Sequence, residues 1–184
     1  NLWIKIHECR NYILEDPILD WLHLFGKDNN FIQDSSFSFE FENLLQQRNN
    51  LFQEEIINKL QKKFNIYIVS NGIPIRERVS KTIDNMYLGK DIICYPGLFN
   101  NNNNSYGIPS MIVRSDKINL IFNKNIIDKK EVNIPCLFSN KYHYLVITIK
   151  HTKLKLDSNN NVSNSKSNKL LKSNIILYNY CLGF

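Results

Sequence analysis

The stretch YHYLVITIK, residues 142–150, carries the clearest β-strand signal in the chain. Its β-branched and aromatic residues favour an extended backbone. Apolar side chains fall on both faces of the predicted strand, which is typical of a central strand covered on each side. The stretch GIPSMIVR, residues 107–114, predicts a second strand of the same kind. Together the two segments predict a β-sheet at the centre of the fold.

The segments on either side add helices and further strands. Apolar residues at spacings of mostly four predict a helix over residues 41–64. A short helix is predicted between Asp16 and Gly26. Asp16 is suited to the N-cap, Pro17 to the first turn and Gly26 to the position just past the end. The other predicted elements are strands at 66–70 and 92–99, a helix from Ser80 to Gly89, and a helix over 169–182. This order of elements predicts an α/β fold with a mixed sheet.

Four short segments, taken in order, carry the functional signal. They are FQEEI at 52–56, YGIPSMIVR at 106–114, YLVITIK at 144–150 and NIILYNYCLG at 174–183. Each segment alone is weak evidence for a function, because a Gly-x-Pro turn or a lysine at the end of a buried strand is common in proteins. Their joint order resembles the PD-(D/E)XK nuclease superfamily, in the branch of RecB-like and lambda-exonuclease-like enzymes that includes proteins of large DNA viruses.

The resemblance implies a restriction-endonuclease-like core, in which helices flank a mixed central β-sheet. In that family a helix carries Phe-Glu, a hairpin carries Gly-x-Pro-Asp, and the next strand carries Asp/Glu-x-Lys. The carboxylates hold Mg²⁺ beside the scissile phosphate, because hard divalent ions prefer oxygen ligands. The family's strand lysine, which corresponds to Lys150 here, orients or activates the attacking water.

The chain departs from the family pattern at nearly every position of catalytic importance. Gln53 stands where the helix should carry Glu, and Ser110 stands where Asp should follow Gly-x-Pro. Thr148 replaces the acid two residues before the lysine, and Asn174 stands where the last helix should carry Gln. Neutral side chains bind Mg²⁺ poorly, so we expect neither a metal site nor a cofactor. We therefore expect a catalytically inactive protein.

Three nearby acids are candidate substitutes for the missing carboxylates. Glu54 and Glu55 follow Gln53 on the same predicted helix, and Asp116 lies six residues past Ser110. One residue along a helix rotates a side chain by about 100°, which argues against a simple exchange of position. These acids keep open the alternative of an active Mg²⁺- or Mn²⁺-dependent DNA nuclease.

The positive charge is concentrated in the last quarter of the chain. The formal net charge is +6, and residues 141–184 contain seven lysines against one acid, which equals the whole excess. A basic segment of this kind predicts an anionic partner, here duplex or single-stranded DNA. The lysines predicted to contact phosphate are Lys150, Lys153, Lys155, Lys166, Lys169 and Lys172.

The composition excludes several other classes of protein. A hydrophobic fraction of 43% excludes wholesale disorder, and the absence of a long apolar run predicts no membrane partner. Four widely separated cysteines indicate reduced thiols and an intracellular protein. The chain lacks alanine and is rich in asparagine, as expected for an A/T-rich genome. We favour a viral source, with the protein in the host cytoplasm or the virion.

We predict two regions, a helical N-terminal extension at residues 1–40 and a nuclease-like core at residues 41–184. The chain reads as a segment of a longer polypeptide, whose remainder is a candidate partner. The predicted function is nucleic-acid binding or a structural role without catalysis. Two alternatives are the active nuclease and a protein-interaction module.

Overall fold

The computed structural model describes residues 3–31 and 39–183, which form a mixed α/β fold and confirm the predicted class. The strands are β1 Ile4–Lys5, β2 Ile66–Ile68, β3 Ile92–Cys94, β4 Leu98–Asn100, β5 Ser105–Gly107, β6 Met111–Arg114 and β7 Tyr144–Ile147. The α-helices are α1 Arg10–Ile13, α2 Pro17–Trp21, α3 Phe39–Gln61, α4 Ile75–Tyr87, α5 Ser115–Phe122, α6 Lys129–Val132 and α7 Lys166–Leu182. In the described ranges, no helix has the length and apolar character needed to cross a membrane.

A four-stranded mixed sheet, with the strand order β2-β3-β6-β7, lies at the centre. Strand β2 is parallel to β3, while β3 with β6 and β6 with β7 are antiparallel. Ile92 packs in a cluster with Ile57 of α3 and Ile118 of α5. Ile93, on the opposite face, packs in a cluster with Met86 of α4. Helices therefore cover both faces of this sheet, as the apolar patterns predicted.

A second sheet, with the strand order β1-β5-β4, includes the N-terminal residues. Strand β1 is parallel to β5, with Ile4 paired to Ser105. Ile6, which follows β1, is almost fully buried in a cluster with Tyr178 and Cys181 of α7. The predicted N-terminal extension therefore supplies a strand to a sheet of the predicted core, which the purely helical interpretation of residues 1–40 did not anticipate.

The two sheets are joined at two corners of the chain. The sequence predicted unbroken strands at residues 92–99 and 107–114, and both predictions were wrong. The first stretch is divided into β3 and β4, and the second into β5 and β6, with one part of each stretch in each sheet. Ser110 lies at the second corner, where the chain passes from one sheet to the other.

Proline explains why the strands divide. Pro96 and Pro109 have no backbone N–H to donate to a sheet, and both are fully buried at the corners. Arg78 of α4 supports the first corner, because its Nη1 donates to the carbonyl of Tyr95 at 2.7 Å. The backbone N–H of Tyr95 donates to the carbonyl of Ser110 at 2.9 Å and ties the two corners together.

Several predicted boundaries also shift. Helix α4 begins at Ile75, so the prediction that it begins at Ser80 was wrong, since Ser80 lies inside the helix. The short helix begins at Pro17 as predicted, but helical turns continue beyond Gly26 to Asn29. They end there because Asn30 adopts a left-handed conformation, with φ of 61°.

The segment 142–150 occupies a different place in the sheet from the one predicted. Strand β7 lies at the edge of the sheet, next to β6, and not in its centre. Its residues are apolar on both faces because helices α3 and α7 pack over them, as Leu145 and Val146 show by joining opposite clusters. All four cysteines, as predicted, are free thiols.

Candidate functional site

The register of β6 and β7 brings two predicted site residues together. Met111, the first residue of β6, pairs with Ile147, the last residue of β7, so Ser110 and Thr148 lie just beyond the paired ends of the two strands. The hydroxyl of Ser110 accepts the N–H of Ile149 at 3.0 Å. The corner at Pro109 thus fixes Ser110 against the segment that carries Thr148 and Lys150.

A cavity of about 330 Å³ opens between this corner, the end of β7 and one face of α7. We call it the corner cavity and define it by the polar side chains of Ser110, Thr148, Lys150 and Asn174 and by the ring of Tyr178. Asn174 and Tyr178 are four residues apart on α7 and therefore face the same side. Four of the five degenerate catalytic positions predicted from the sequence converge on this one space.

Two polar atoms of the corner cavity have no hydrogen-bond partner. Thr148 Oγ1 and Asn174 Oδ1 are both buried, and neither is hydrogen-bonded to any described group. Burying a polar atom without a partner costs on the order of 1–3 kcal/mol. Two such atoms in residues of one cavity wall make this a candidate place for a polar ligand.

All the charged residues among the described residues that line the corner cavity are basic. Lys150 and Lys172 carry positive charge, and no aspartate or glutamate lies in the wall. His7, from the turn after β1, is also part of the wall. Partial burial lowers the pKa of His7, the ammonium groups of Lys5 and Lys150 lower it further, and Glu8 opposes them. His7 is therefore mainly neutral at pH 7.

Such a wall does not fit a magnesium ion. Ser110, Thr148 and Asn174 offer only neutral oxygens, and Lys150 adds a positive charge beside them. Among the residues that the structure describes, no group of three or more His, Cys, Asp or Glu side chains is arranged to hold a metal. These residues therefore give no support to a catalytic step through a bound metal.

The candidate substitute acids lie elsewhere. Glu54 and Glu55 are exposed on α3 and are not part of the corner cavity. Glu55 forms an ion pair with Lys59 at 2.7 Å, and this hydrogen bond lowers the pKa of the carboxyl group. Asp116 accepts two hydrogen bonds from Arg114, at 3.0 and 2.8 Å, beyond the end of β6 opposite to Ser110.

Gln53, the fifth predicted site residue, does not line the corner cavity. Its side chain is buried, and it lies one helical turn after Asn49. The side chain of Asn49 accepts the backbone N–H of His151 at 3.0 Å, which ties α3 to the segment that follows Lys150. Gln53 therefore belongs to the helix that supports this segment.

Lys150 connects the corner cavity to a second depression. We call the second one the basic cleft and define it by Arg10, Lys150, His151, Lys153 and Lys166. No acidic residue is among the described residues that line it. Its side chains come from α1, from the segment after β7 and from the first turn of α7. Three of the six predicted phosphate-binding lysines therefore lie together.

The other three predicted lysines have different surroundings. Lys169 forms an exposed ion pair with Glu15 at 3.2 Å. Lys172 donates to the carbonyl of Val162 at 2.6 Å and holds the preceding loop against α7. The side chain of Lys155 is exposed and is not part of either depression.

Sequence reasoning missed the contributions of His7, Arg10 and Tyr178. His7 and Arg10 reach the site through β1, whose two residues pair with a strand about a hundred positions away in the sequence. A strand of two residues has no periodicity to detect. Tyr178 was visible as an aromatic residue four positions after Asn174, on the same predicted helical face.

Comparisons with protein-family models, with curated proteins and with solved structures found no match for this chain. The resemblance to PD-(D/E)XK nucleases therefore rests on the residues of the chain itself.

Ser110 gives a direct test of how the corner is held. Ser110→Ala is expected to lower the free energy of unfolding by about 1–3 kcal/mol, because the N–H of Ile149 then lacks its buried acceptor. Chemical denaturation of wild type and variant measures the difference. Ser80→Ala, at an exposed position of α4, is the control and should change stability by less than about 0.5 kcal/mol. Equal stability of wild type and Ser110→Ala contradicts the assigned hydrogen bond.

Proposed function

We propose that this chain is a nucleic-acid-binding protein with a restriction-endonuclease-like core that does not cleave its ligand. One observation carries the proposal. Ser110, Thr148, Lys150 and Asn174 converge on one cavity, at the positions that the resemblance assigns to a nuclease site, and none of the described residues of its wall is acidic. A cavity of this kind keeps the phosphate-attracting lysine and lacks the groups that hold a catalytic metal.

The basic cleft supplies the surface for a nucleic-acid backbone. Arg10, Lys153 and Lys166 lie with Lys150 around it, and no acid among the described lining residues competes with phosphate for them. Lysine and arginine contacts to phosphate release bound counterions, so such binding is independent of sequence and weakens steeply with salt. We assign the cleft to phosphates of a DNA strand.

The positions of Glu54, Glu55 and Asp116 give no support to the alternative of an active nuclease with relocated carboxylates. The two glutamates are exposed on α3 and are not among the residues that line the corner cavity. Asp116 is neutralised by the guanidinium of Arg114 at 2.8 Å and lies near a second cation, Lys117, at 3.7 Å. The function proposed here is therefore binding.

A paired set of lysine variants tests the proposal. Lys153→Gln/Lys166→Gln is expected to weaken binding to duplex and single-stranded DNA at low salt. It should also reduce the slope of log K against log salt by about 2, one unit for each lost phosphate contact. Fluorescence anisotropy across a salt series measures both quantities.

The control removes the same charge from another surface. Lys124→Gln/Lys130→Gln changes two exposed lysines near α6 that line neither depression, so the salt slope should remain close to that of wild type. An equal loss of DNA affinity in both double variants contradicts the assignment of DNA binding to the basic cleft. Absence of DNA binding by wild type at low salt overturns the proposed function and leaves the protein-interaction module as the better hypothesis.

A further inference from the structure

The corner cavity combines apolar walls, buried oxygens without a partner, and positive charge. An ion alone or a hydrocarbon chain alone does not match all three features. Its volume of about 330 Å³ is at the lower end of the range for small-molecule sites. Ile108, Pro109, Leu154 and Ile175 give it apolar walls, and the ring of Tyr178 adds an aromatic surface. An apolar space of this size is suited to one compact ring system.

Thr148 and Asn174, two residues of the wall, each carry a buried oxygen without a hydrogen-bond partner. Asn174 Oδ1 accepts a hydrogen bond, and Thr148 Oγ1 both donates and accepts one. A planar heterocycle with N–H groups and ring acceptors completes both. An aliphatic chain of the same volume leaves both oxygens unpaired, so the cavity discriminates against a fatty acid or a similar lipid.

The positive charge lies next to this polar and apolar space. Lys150 is shared between the corner cavity and the basic cleft, and Lys172 lies in the cavity wall. An inorganic anion alone leaves the apolar walls without a partner, and a metal cation is repelled by both lysines. The ligand that fits is therefore a heterocycle joined to a phosphate.

We propose that the corner cavity binds a single nucleotide, with its base between the apolar walls and its phosphate at Lys150. The base is hydrogen-bonded by Thr148 and Asn174, and base–aromatic contact with Tyr178 adds affinity independent of base identity. This inference rests on the proposed function. It adds that one nucleotide of the bound strand enters the corner cavity with its base unstacked from its neighbours. Because a base in a duplex is stacked and paired, the cavity favours single-stranded ligands.

Free nucleotides test this site apart from the rest of the chain's DNA-binding surface. Calorimetric titration of the whole protein with adenosine monophosphate is expected to show one site. Ribose 5-phosphate, which lacks the base, and adenosine, which lacks the phosphate, are each expected to bind at least tenfold more weakly. A single-stranded oligonucleotide should displace adenosine monophosphate if the nucleotide belongs to a strand, whereas failure to displace it identifies a free nucleotide as the ligand.

Two near-isosteric variants test the assigned hydrogen bonds. Thr148→Val and Asn174→Leu are each expected to weaken binding of adenosine monophosphate about tenfold, because each removes one polar partner of the base. Each variant also removes an unpaired buried oxygen, so the thermal midpoint of the free protein should stay equal or rise. A merely structural role for these residues would instead lower the midpoint. Asn179→Leu, on α7 but outside the cavity wall, is the matched control and should leave the affinity unchanged.

The outcomes separate this inference from the proposed function. If DNA binds through Lys153 and Lys166 but adenosine monophosphate binds no more tightly than ribose 5-phosphate, the nucleotide site is wrong and the proposed function stands. If octanoate binds more tightly than adenosine monophosphate, the site is one for an aliphatic anion and the inference is overturned. If adenosine monophosphate binds and DNA does not, the proposed function fails and the nucleotide site remains.

Discussion

Gly107→Ala is expected to lower the free energy of unfolding by about 2–3 kcal/mol, the upper part of the range for overpacked cores. A Cβ atom at this position would overlap Cε1 of Tyr178 and lie 2.8 Å from Cδ1 of the same ring. It would also lie 3.0 Å from Cδ1 of Ile6. Tyr178 and Ile6 pack together in one buried cluster, so relieving the overlap disrupts that packing. Equilibrium denaturation in urea measures the loss.

Gly26→Ala is the control for this prediction. A Cβ at Gly26 has no neighbour closer than 3.6 Å, and the backbone there is helical, with φ of −60°. Alanine should therefore be neutral or stabilise the protein by up to about 1 kcal/mol through the unfolded state. A double variant, Gly107→Ala/Tyr178→Leu, removes the ring that causes the overlap and should cost less than the sum of the single changes. Additive costs in that double variant contradict the assigned contact.

The sequence predicts which site residues come close together only where their placement depends on local pattern. The sequence predicts a strand over residues 142–150 with Thr148 and Lys150 on one face, but β7 ends at Ile147 and both residues follow it. The spacing of four between Asn174 and Tyr178 places both on one face of a helix. The pairing of β6 with β7 brings Ser110 to the segment after β7, where its hydroxyl accepts the N–H of Ile149. Local pattern therefore accounts for only part of the convergence of the four predicted positions.

The remaining features depend on long-range packing, which local pattern does not encode. The prolines at 96 and 109 were visible, but the apolar runs around them favoured unbroken strands over corners. Strand β1 forms because Ile6 is buried against α7, a contact between opposite ends of the chain. Gln53 shares its helix face with Asn49, and the position of that helix decides that Gln53 stays outside the cavity wall.

No cleavage of DNA in the presence of Mg²⁺ or Mn²⁺ is expected from this protein. A carboxylate beside a divalent ion contributes a gross Coulomb energy on the order of 10 kcal/mol at an effective dielectric constant of about 20. If a third of that is a net loss, each missing acid costs on the order of 10² in rate. Under the proposed function, the neutral residues Gln53, Ser110 and Thr148 therefore lower the rate by at least this factor, without multiplication, because groups of one site do not act independently. Incubation with supercoiled and linear DNA measures cleavage.

Metal binding gives this prediction a readout that does not depend on activity. Ser110→Asp/Thr148→Asp places two carboxylates just beyond the paired ends of β6 and β7, and Asp at position 110 still offers an acceptor to the N–H of Ile149. Mn²⁺ is expected to raise the thermal midpoint of this double variant and to leave that of wild type unchanged, because only the variant offers paired anionic ligands. Cleavage by wild type that disappears in Lys150→Met would contradict the prediction. Cleavage that survives Lys150→Met is assigned to a contaminant, since Lys150 is the one residue that matches a catalytic position of the nuclease pattern which the chain resembles.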